Sequence, residues 1–176
     1  FFIAVITVIS CLKFRKFQHL FLVGASYFFF YISNNFLISL LIYSTLLDFY
    51  LGKAIYNSKN QKNKKILLMI SLAGNLGLLG FFKYANFMID EINKITQTLG
   101  ISNIDYLEII LPIGISFYTF QTISYTVDIY RGKLTPSESF WEFALFVSFF
   151  PQLVAGPILR ASHFLPQLRE KLSDTN

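Results

Sequence analysis

Charged side chains make up only 14% of this 176-residue chain, where a soluble domain carries roughly 25%. That shortage excludes an ordinary soluble fold, because the apolar residues arrive in runs of membrane-spanning length rather than in short amphipathic stripes. Cysteine is nearly missing: Cys11 is the only one, and it lies in an apolar run. Neither a disulfide framework nor a Cys-based metal site is therefore available. No Ser/His/Asp arrangement, metal-ligand spacing, phosphate loop, dinucleotide fingerprint or convincing internal repeat occurs. The first apolar run, FFIAVITVISCL, has no small-residue cleavage site after it, and KFRK follows rather than precedes it, which argues against a cleaved signal peptide. A net charge of +5 raises nucleic-acid binding, but the Lys and Arg sit in clusters between apolar runs, with no soluble basic face to present.

Apolar and aromatic residues take the place of charge: 54% of the chain is hydrophobic, with 21 Phe and 10 Tyr. These runs predict an all-α, polytopic integral membrane bundle with short, broken or re-entrant segments. The first run is about 18 Å of helix at 1.5 Å per residue, too short to cross a hydrocarbon core of about 30 Å, and is expected to be the end of a first span. Phe17–Ile32 and Phe36–Leu51 form a helical hairpin, turning at Ser33-Asn34-Asn35 with good N-cap residues. Gly52–Lys65 is expected to be a polar loop with five lysines, and Ile66–Ile89 a full span of about 36 Å. Asp90–Glu108, with Gly100 as a break, is expected to lie at the interface. Pro112 suits the first turn of a helix running to Tyr130 and ending near Arg131-Gly132. Pro136-Ser137 opens another apolar helix, which Pro151 interrupts.

Charge bias orients these spans. Lys13, Arg15 and Lys16, the five-lysine loop, and Arg131 with Lys133 all fall on one side, which the positive-inside rule assigns to the cytoplasm. Loop 52–65 is then cytoplasmic, and segment 90–108, with its acidic residues, extracytoplasmic.

Two segments carry the candidate chemistry. In LPIGISFYTFQTISYTVDIYR (Leu111–Arg131), Gly114, Gln121, Ser124, Asp128 and Arg131 share one helical stripe, joined by Phe117. Ile113, Phe120, Ile123 and Val127 occupy a mostly apolar side. The stripe either lines a hydrated conduit or makes interhelical hydrogen bonds, with Asp128 and Arg131 paired one turn apart. In FFPQLVAGPILRASHFLPQL (Phe149–Leu168), Pro151, Gly156 and Pro157 break an apolar run. Irregular backbone at membrane depth is tolerated only inside protein or beside water, and Gln152 and Arg160 are available to satisfy freed carbonyls or an anion. Gly74, Gly77 and Gly80 give the long span either close helix packing or room for an acyl chain, and Asn75 becomes an interhelical donor. Lys83 snorkels. His19 is an interfacial residue, and His163, beside Arg160, is a weak candidate base.

LPIGISFYTFQTISYTVDIYRGKL and FVSFFPQLVAGPILRASHFLPQL resemble the signature segments of membrane-bound O-acyltransferases, most closely the bacterial branch of alginate and peptidoglycan O-acetylases. The matching residues are Pro112, Gly114, Ser116, Phe117, Tyr118, Gln121, Ser124, Tyr125, Asp128 and Arg131, then Pro151, Gln152, Gly156, Pro157 and Arg160. The resemblance implies a multi-pass bacterial inner-membrane enzyme that moves an acyl group, usually acetyl, onto a hydroxyl of an extracytoplasmic polysaccharide such as alginate or peptidoglycan. It implies no tightly bound cofactor and no metal. It also implies acetyl-CoA or an acyl carrier as donor, the lipid bilayer as surroundings, and a periplasmic acetyltransferase as candidate partner. The family's catalytic histidine belongs to a Trp-His segment downstream of the GPILR-like motif. Residues 1–176 are accordingly expected to be the N-terminal part of one membrane-embedded domain, truncated at both ends and inactive alone. Tyr118, Gln121, Ser124, Tyr125, Asp128, Arg131, Gln152 and Arg160 are the conduit candidates, and Pro112, Gly114, Pro151, Gly156 and Pro157 the structural ones. D-alanyl transfer to teichoic acid, a transporter or flippase, and a non-catalytic remnant remain the rival readings.

Overall fold

A computed structural model describes the chain apart from residues 12–13, 99–101, 103, 108, 157–158 and 170–176. Among the described residues it is all helical, without a strand. The helices are α1 (Phe2–Cys11), α2 (Arg15–Asn34), α3 (Ile38–Asn57), α4 (Gln61–Thr98), α5 (Ile115–Tyr130), α6 (Phe140–Ser148), α7 (Phe150–Ala155) and α8 (Ala161–Arg169). A single 3-10 turn, Asn35–Leu37, joins α2 to α3. Two helical stretches, Phe17–Asn57 and Gln61–Thr98, are long and apolar enough to cross a membrane by length and composition. Their outer faces carry large exposed apolar side chains, among them Phe28, Ile32, Ile70, Leu76, Phe81 and Phe87.

Several boundaries differ from those expected. Helix α3 runs on to Asn57 and α4 begins at Gln61, so the polar loop shrinks to Ser58–Asn60. Lysine and glutamine are good helix formers, and they extend both helices past the apolar runs. Helix α4 likewise continues to Thr98, a length of about 57 Å at 1.5 Å per residue, so Asp90–Thr98 prolongs the same helix beyond the expected end of the span at Ile89. Neither Asn34 nor Asn35 caps a helix with its side chain. Pro112 precedes α5 instead of sitting in its first turn. Gly114 starts that helix at φ 83°, a left-handed conformation that glycine adopts without steric cost. The expected end at Arg131-Gly132 is present as a Schellman closure: Gly132 N–H donates to Ile129 O at 3.0 Å and Lys133 N–H to Asp128 O at 2.9 Å. Pro136-Ser137 does not open α6. Ser139 caps it, its hydroxyl accepting from Glu142 N–H at 3.4 Å. Gly100, Pro157, Lys13 and Glu108 lie outside the described residues.

Three asparagines hold the non-helical run before α5. Asn93 accepts from Ile104 N–H (2.7 Å) and donates to Ile104 O (2.8 Å). Asn86 grips Leu107 in the same way (3.0 and 2.9 Å), and Asn34 grips Ile113 (2.6 and 3.5 Å). An amide side chain offers one acceptor and two donors, so each satisfies the N–H and the C=O of one residue that no helix serves.

The core forms where α3, α4 and α5 pack together, with α6 against α2 and α3, and α8 against α5 and α6. Phe143 of α6 is fully buried and lies against Tyr125 (ring centroids 4.4 Å apart) and Phe49 (6.0 Å).

Candidate functional site

The buried residues of α3 are Leu41, Ser44, Thr45, Asp48, Phe49, Gly52 and Ile55, which recur every three to four residues, singly or as neighbouring pairs, along one stripe. The middle of that stripe is a carboxylate. Asp48 is completely buried, between Ser71 and Asn75 of α4 and the threonines of α5. Ser71 Oγ donates to Asp48 Oδ1 at 2.5 Å, and Asn75 Nδ2 donates to Oδ2 at 2.7 Å. Ser71 Oγ also lies 3.1 Å from Thr126 Oγ1, and Thr122 Oγ1 donates to Asn75 Oδ1 at 3.4 Å. All five residues are fully buried. A carboxylate away from water is costly unless its oxygens are hydrogen-bonded, and here both oxygens receive donors. Asn75 is thus the interhelical donor expected of it.

Close approach of α3 to α5 depends on Gly52, where a Cβ would stand 2.8 Å from Tyr125 Cε1 and 3.0 Å from Ile129 Cδ1. Gly74 performs the same service between α3 and α4, where a Cβ would meet Leu47 Cδ2 at 2.7 Å. Gly77 and Gly80, grouped with it by the sequence pattern, face open space within 4 Å. Three-residue spacing drifts around a helix of 3.6 residues per turn, so only one of the three glycines reaches that interface.

A second polar arrangement holds the break between α6 and α7. Phe149, at ψ 101°, ends one helix and starts the next. The run breaks two residues before Pro151, which occupies the first turn of α7, where its missing N–H is harmless. The break leaves the Phe146 carbonyl and the Phe150 N–H without their helical partners. Gln121 Nε2 donates to Phe146 O at 2.6 Å, and Phe150 N–H donates to Ser26 Oγ at 3.4 Å. Gln121 and Ser26 thus serve the two backbone groups freed at this break.

The candidates of α5 separate by face. Gln121, Tyr118 and Tyr125 are buried; Ser124 and Asp128 are half-buried; Arg131 is exposed. Tyr125 Oη accepts from Ser137 N–H at 3.0 Å, and Ser124 Oγ turns back to Gln121 O at 2.7 Å. Lys94 pairs with Asp90 and Glu91, while no ion pair joins Asp128 to Arg131. Phe120 is exposed, Val127 half-buried. Gln152 is buried in α7, while Arg160 and His163 are exposed near the start of α8. Pro112 is buried, Gly114 sits against Phe30, and Gly156 follows α7 in extended backbone. Tyr118 Oη and Gln121 Oε1 are buried with no hydrogen-bond partner among the described residues. Sequence reasoning missed Asp48, Ser71, Thr122 and Thr126. A lone Asp in the run LLIYSTLLDFYLG was the available signal, since an acid in an apolar helix requires partners.

These features define a class: an all-helical chain with helices fit to cross a membrane, pinned by buried polar side chains and carrying a broken helix beside its core. The chain is similar to the probable alginate O-acetylase AlgI of Pseudomonas putida, 35% identical over 158 residues, or 89% of this chain and 33% of that protein. It is also 35% identical over 179 residues to the peptidoglycan O-acetyltransferase of Helicobacter pylori, covering 88% of this chain and 33% of that one. Against the probable AlgI of Pseudomonas aeruginosa, identity is 43% over 104 residues, 59% of this chain and 20% of that protein. The chain spans about a third or less of the length of these curated relatives. No family model and no solved structure matches it. The resemblance read from the two motif segments is borne out: the chain is a relative of the bacterial O-acetylases.

Proposed function

We propose that the protein to which this chain belongs is a membrane O-acyltransferase that moves an acetyl group onto hydroxyls of an extracytoplasmic polysaccharide. The observation that carries this reading is 35% identity over 89% of the chain to a probable alginate O-acetylase, matched by similar identity to a peptidoglycan O-acetyltransferase. In this reading the chain is a multi-pass part of the bacterial cytoplasmic membrane. The lysine-bearing α3–α4 turn faces the cytoplasm, and the end of α4 with the Ile104–Leu107 run faces outward. Acetyl-CoA or an acyl carrier supplies the acyl group, and a periplasmic acetyltransferase is a candidate partner.

Within such an enzyme, α5 borders the acyl path. Buried polar atoms are nearly always paired, so the unpartnered Tyr118 Oη and Gln121 Oε1 favour a neighbouring polar interior. Gln121 would keep the α6–α7 break beside that interior, and Ser124, Asp128 and Gln152 would extend its polar lining. The residue that activates the acceptor hydroxyl, a histidine by family resemblance, is not assigned to His19 or His163.

The test uses the complete gene, deleted and then restored in its own host. Restoration should return base-labile acetate to the surface polysaccharide. Base-labile D-alanine instead would move the protein to the teichoic-acid branch, and an unchanged ester content would refute acyl transfer. In the restored protein Gln121→Leu and Asp128→Asn should fold yet acetylate poorly. Activity that tracks folded protein in both variants would mark these side chains as packing.

A further inference from the structure

Asp48 has no place in the acyl path proposed above, yet it is the most costly side chain in the core to bury. Its partners lie on both neighbouring helices, and on α5 the contact falls at Thr122 and Thr126. Thr122 directly follows Gln121. Fixing the rotation of α5 at Thr122 therefore also fixes where Gln121 projects, and that side chain holds the Phe146 carbonyl freed by the break. We propose that Asp48 is a positioning residue. Through Ser71, Asn75, Thr122 and Thr126 it sets the rotation of α5 that brings Gln121 to Phe146, and so keeps the α6–α7 break in place.

The chemistry of the pair predicts a specific pattern of loss and rescue. Asp48→Asn exchanges the carboxylate for a neutral amide, which can turn so that its oxygen accepts from Asn75 and its N–H₂ donates to Ser71 Oγ. Those bonds are no longer charge-assisted and are roughly half as strong, so α5 is held more weakly. Combining it with Asn75→Asp restores a charge-assisted pair in reverse. The amide now at position 48 donates to the carboxylate now at position 75, which still accepts from Thr122. A device that needed only any polar filling would not distinguish the single variant from the swap.

The experiment uses the protein expressed from its complete reading frame, in native membranes and a cysteine-free background. A cysteine replacing Ser148, fully buried at the end of α6, reports the break. A cysteine replacing the fully buried Ala144, one turn earlier, reports α6 as a whole. Asp48→Asn should raise thiol reactivity at position 148 about tenfold or more, the factor that corresponds to about 1.4 kcal/mol of easier local opening. Position 144 should stay protected, and the Asn75→Asp swap should return position 148 to protection. Gln121→Leu should give the same exposure, and adding Asp48→Asn to it should add little, because both act through one contact. Thr122→Val, which removes a single hydroxyl, supplies the measurement if Asp48→Asn does not accumulate. Protection at 148 in folded Asp48→Asn, parallel exposure of 144 and 148, full additivity with Gln121→Leu, or failure of the swap would each overturn the proposal. None of these readouts depends on acyl transfer.

Discussion

Removing Asn75 tests the energetic weight of the buried carboxylate. Asn75→Leu deletes the donor to Asp48 Oδ2, the donor to Ser71 O at 3.0 Å and the acceptor of Thr122. Leucine fills a comparable volume, so the change is chiefly the loss of polar partners rather than a cavity. Hydrogen bonds to charged groups contribute about 1.5–3 kcal/mol, whereas an average interhelical hydrogen bond within a membrane contributes only about 0.6 kcal/mol, because the separated helices also find partners. Thr126→Val removes one hydroxyl whose neighbours, Ser71 and the α5 backbone, keep other partners, and falls in the second class. Asn75→Leu should therefore cost about 1.5–3 kcal/mol and Thr126→Val about 0.6 kcal/mol. Replacing Asp48, Ser71 and Asn75 together by Leu, Ala and Leu should recover most of the larger loss, since an apolar core of similar volume leaves no charge unpaired. Reversible unfolding of the purified protein in mixed detergent micelles, followed by circular dichroism, measures all three. Equal costs for the two single changes, or a triple variant less stable than Asn75→Leu, would refute the idea that Asp48 is a buried carboxylate whose neutral donors matter individually.

Gly52→Ala should destabilise by about 1–3 kcal/mol through overpacking, because its Cβ falls 2.8 Å from the Tyr125 ring. Gly77→Ala, with open space at its Cβ, should instead raise the melting temperature, as an alanine in a helix interior is about 0.5–1 kcal/mol better than glycine. Cysteines at Asn60 and Ser102 in a Cys11→Ser background should label oppositely with an impermeant thiol reagent in intact cells, position 102 reacting and 60 protected; the reverse pattern would invert the topology. Beyond the apolar part of α4, Asp90 is held below the usual carboxylate range by the hydrogen bond that Tyr106 donates to it at 2.8 Å, then by Lys94 at 3.2 Å. A carboxyl lowered in the folded state stabilises it above the unfolded value, and that contribution disappears as pH falls through the folded one. Tyr106→Phe should move the Asp90 titration, followed by carboxyl-carbon NMR, back toward the ordinary range; an unchanged titration would remove Tyr106 as its cause.

Much of the fold was legible because apolar runs of fixed length have few solutions in a bilayer. The helical class, the long α4 span, the end of α5 at Arg131-Gly132 and the broken segment after Ser148 all follow from run length and from the local chemistry of Gly and Pro. Helix ends were less legible where polar helix formers such as Gln61, Lys62 and Lys64 carry a helix beyond its apolar stretch. The α5 stripe was read from the polar residues themselves. The neighbours of the helix select a somewhat different face, on which Thr119, Thr122 and Thr126 are buried while Arg131 is exposed.

The sequence by itself therefore determined the class of protein and the positions of most helices, since hydrophobicity and backbone propensity act within a few residues. Only the tertiary structure decided which polar side chains meet. Asp48 and Asn75 are 27 residues apart, Gln121 and Phe146 are 25 apart, and Asn34 and Ile113 are 79 apart. A hydrogen bond acts over about 3 Å, so no local pattern records those partners, and the pairing exists only once α3, α4, α5 and α6 have packed.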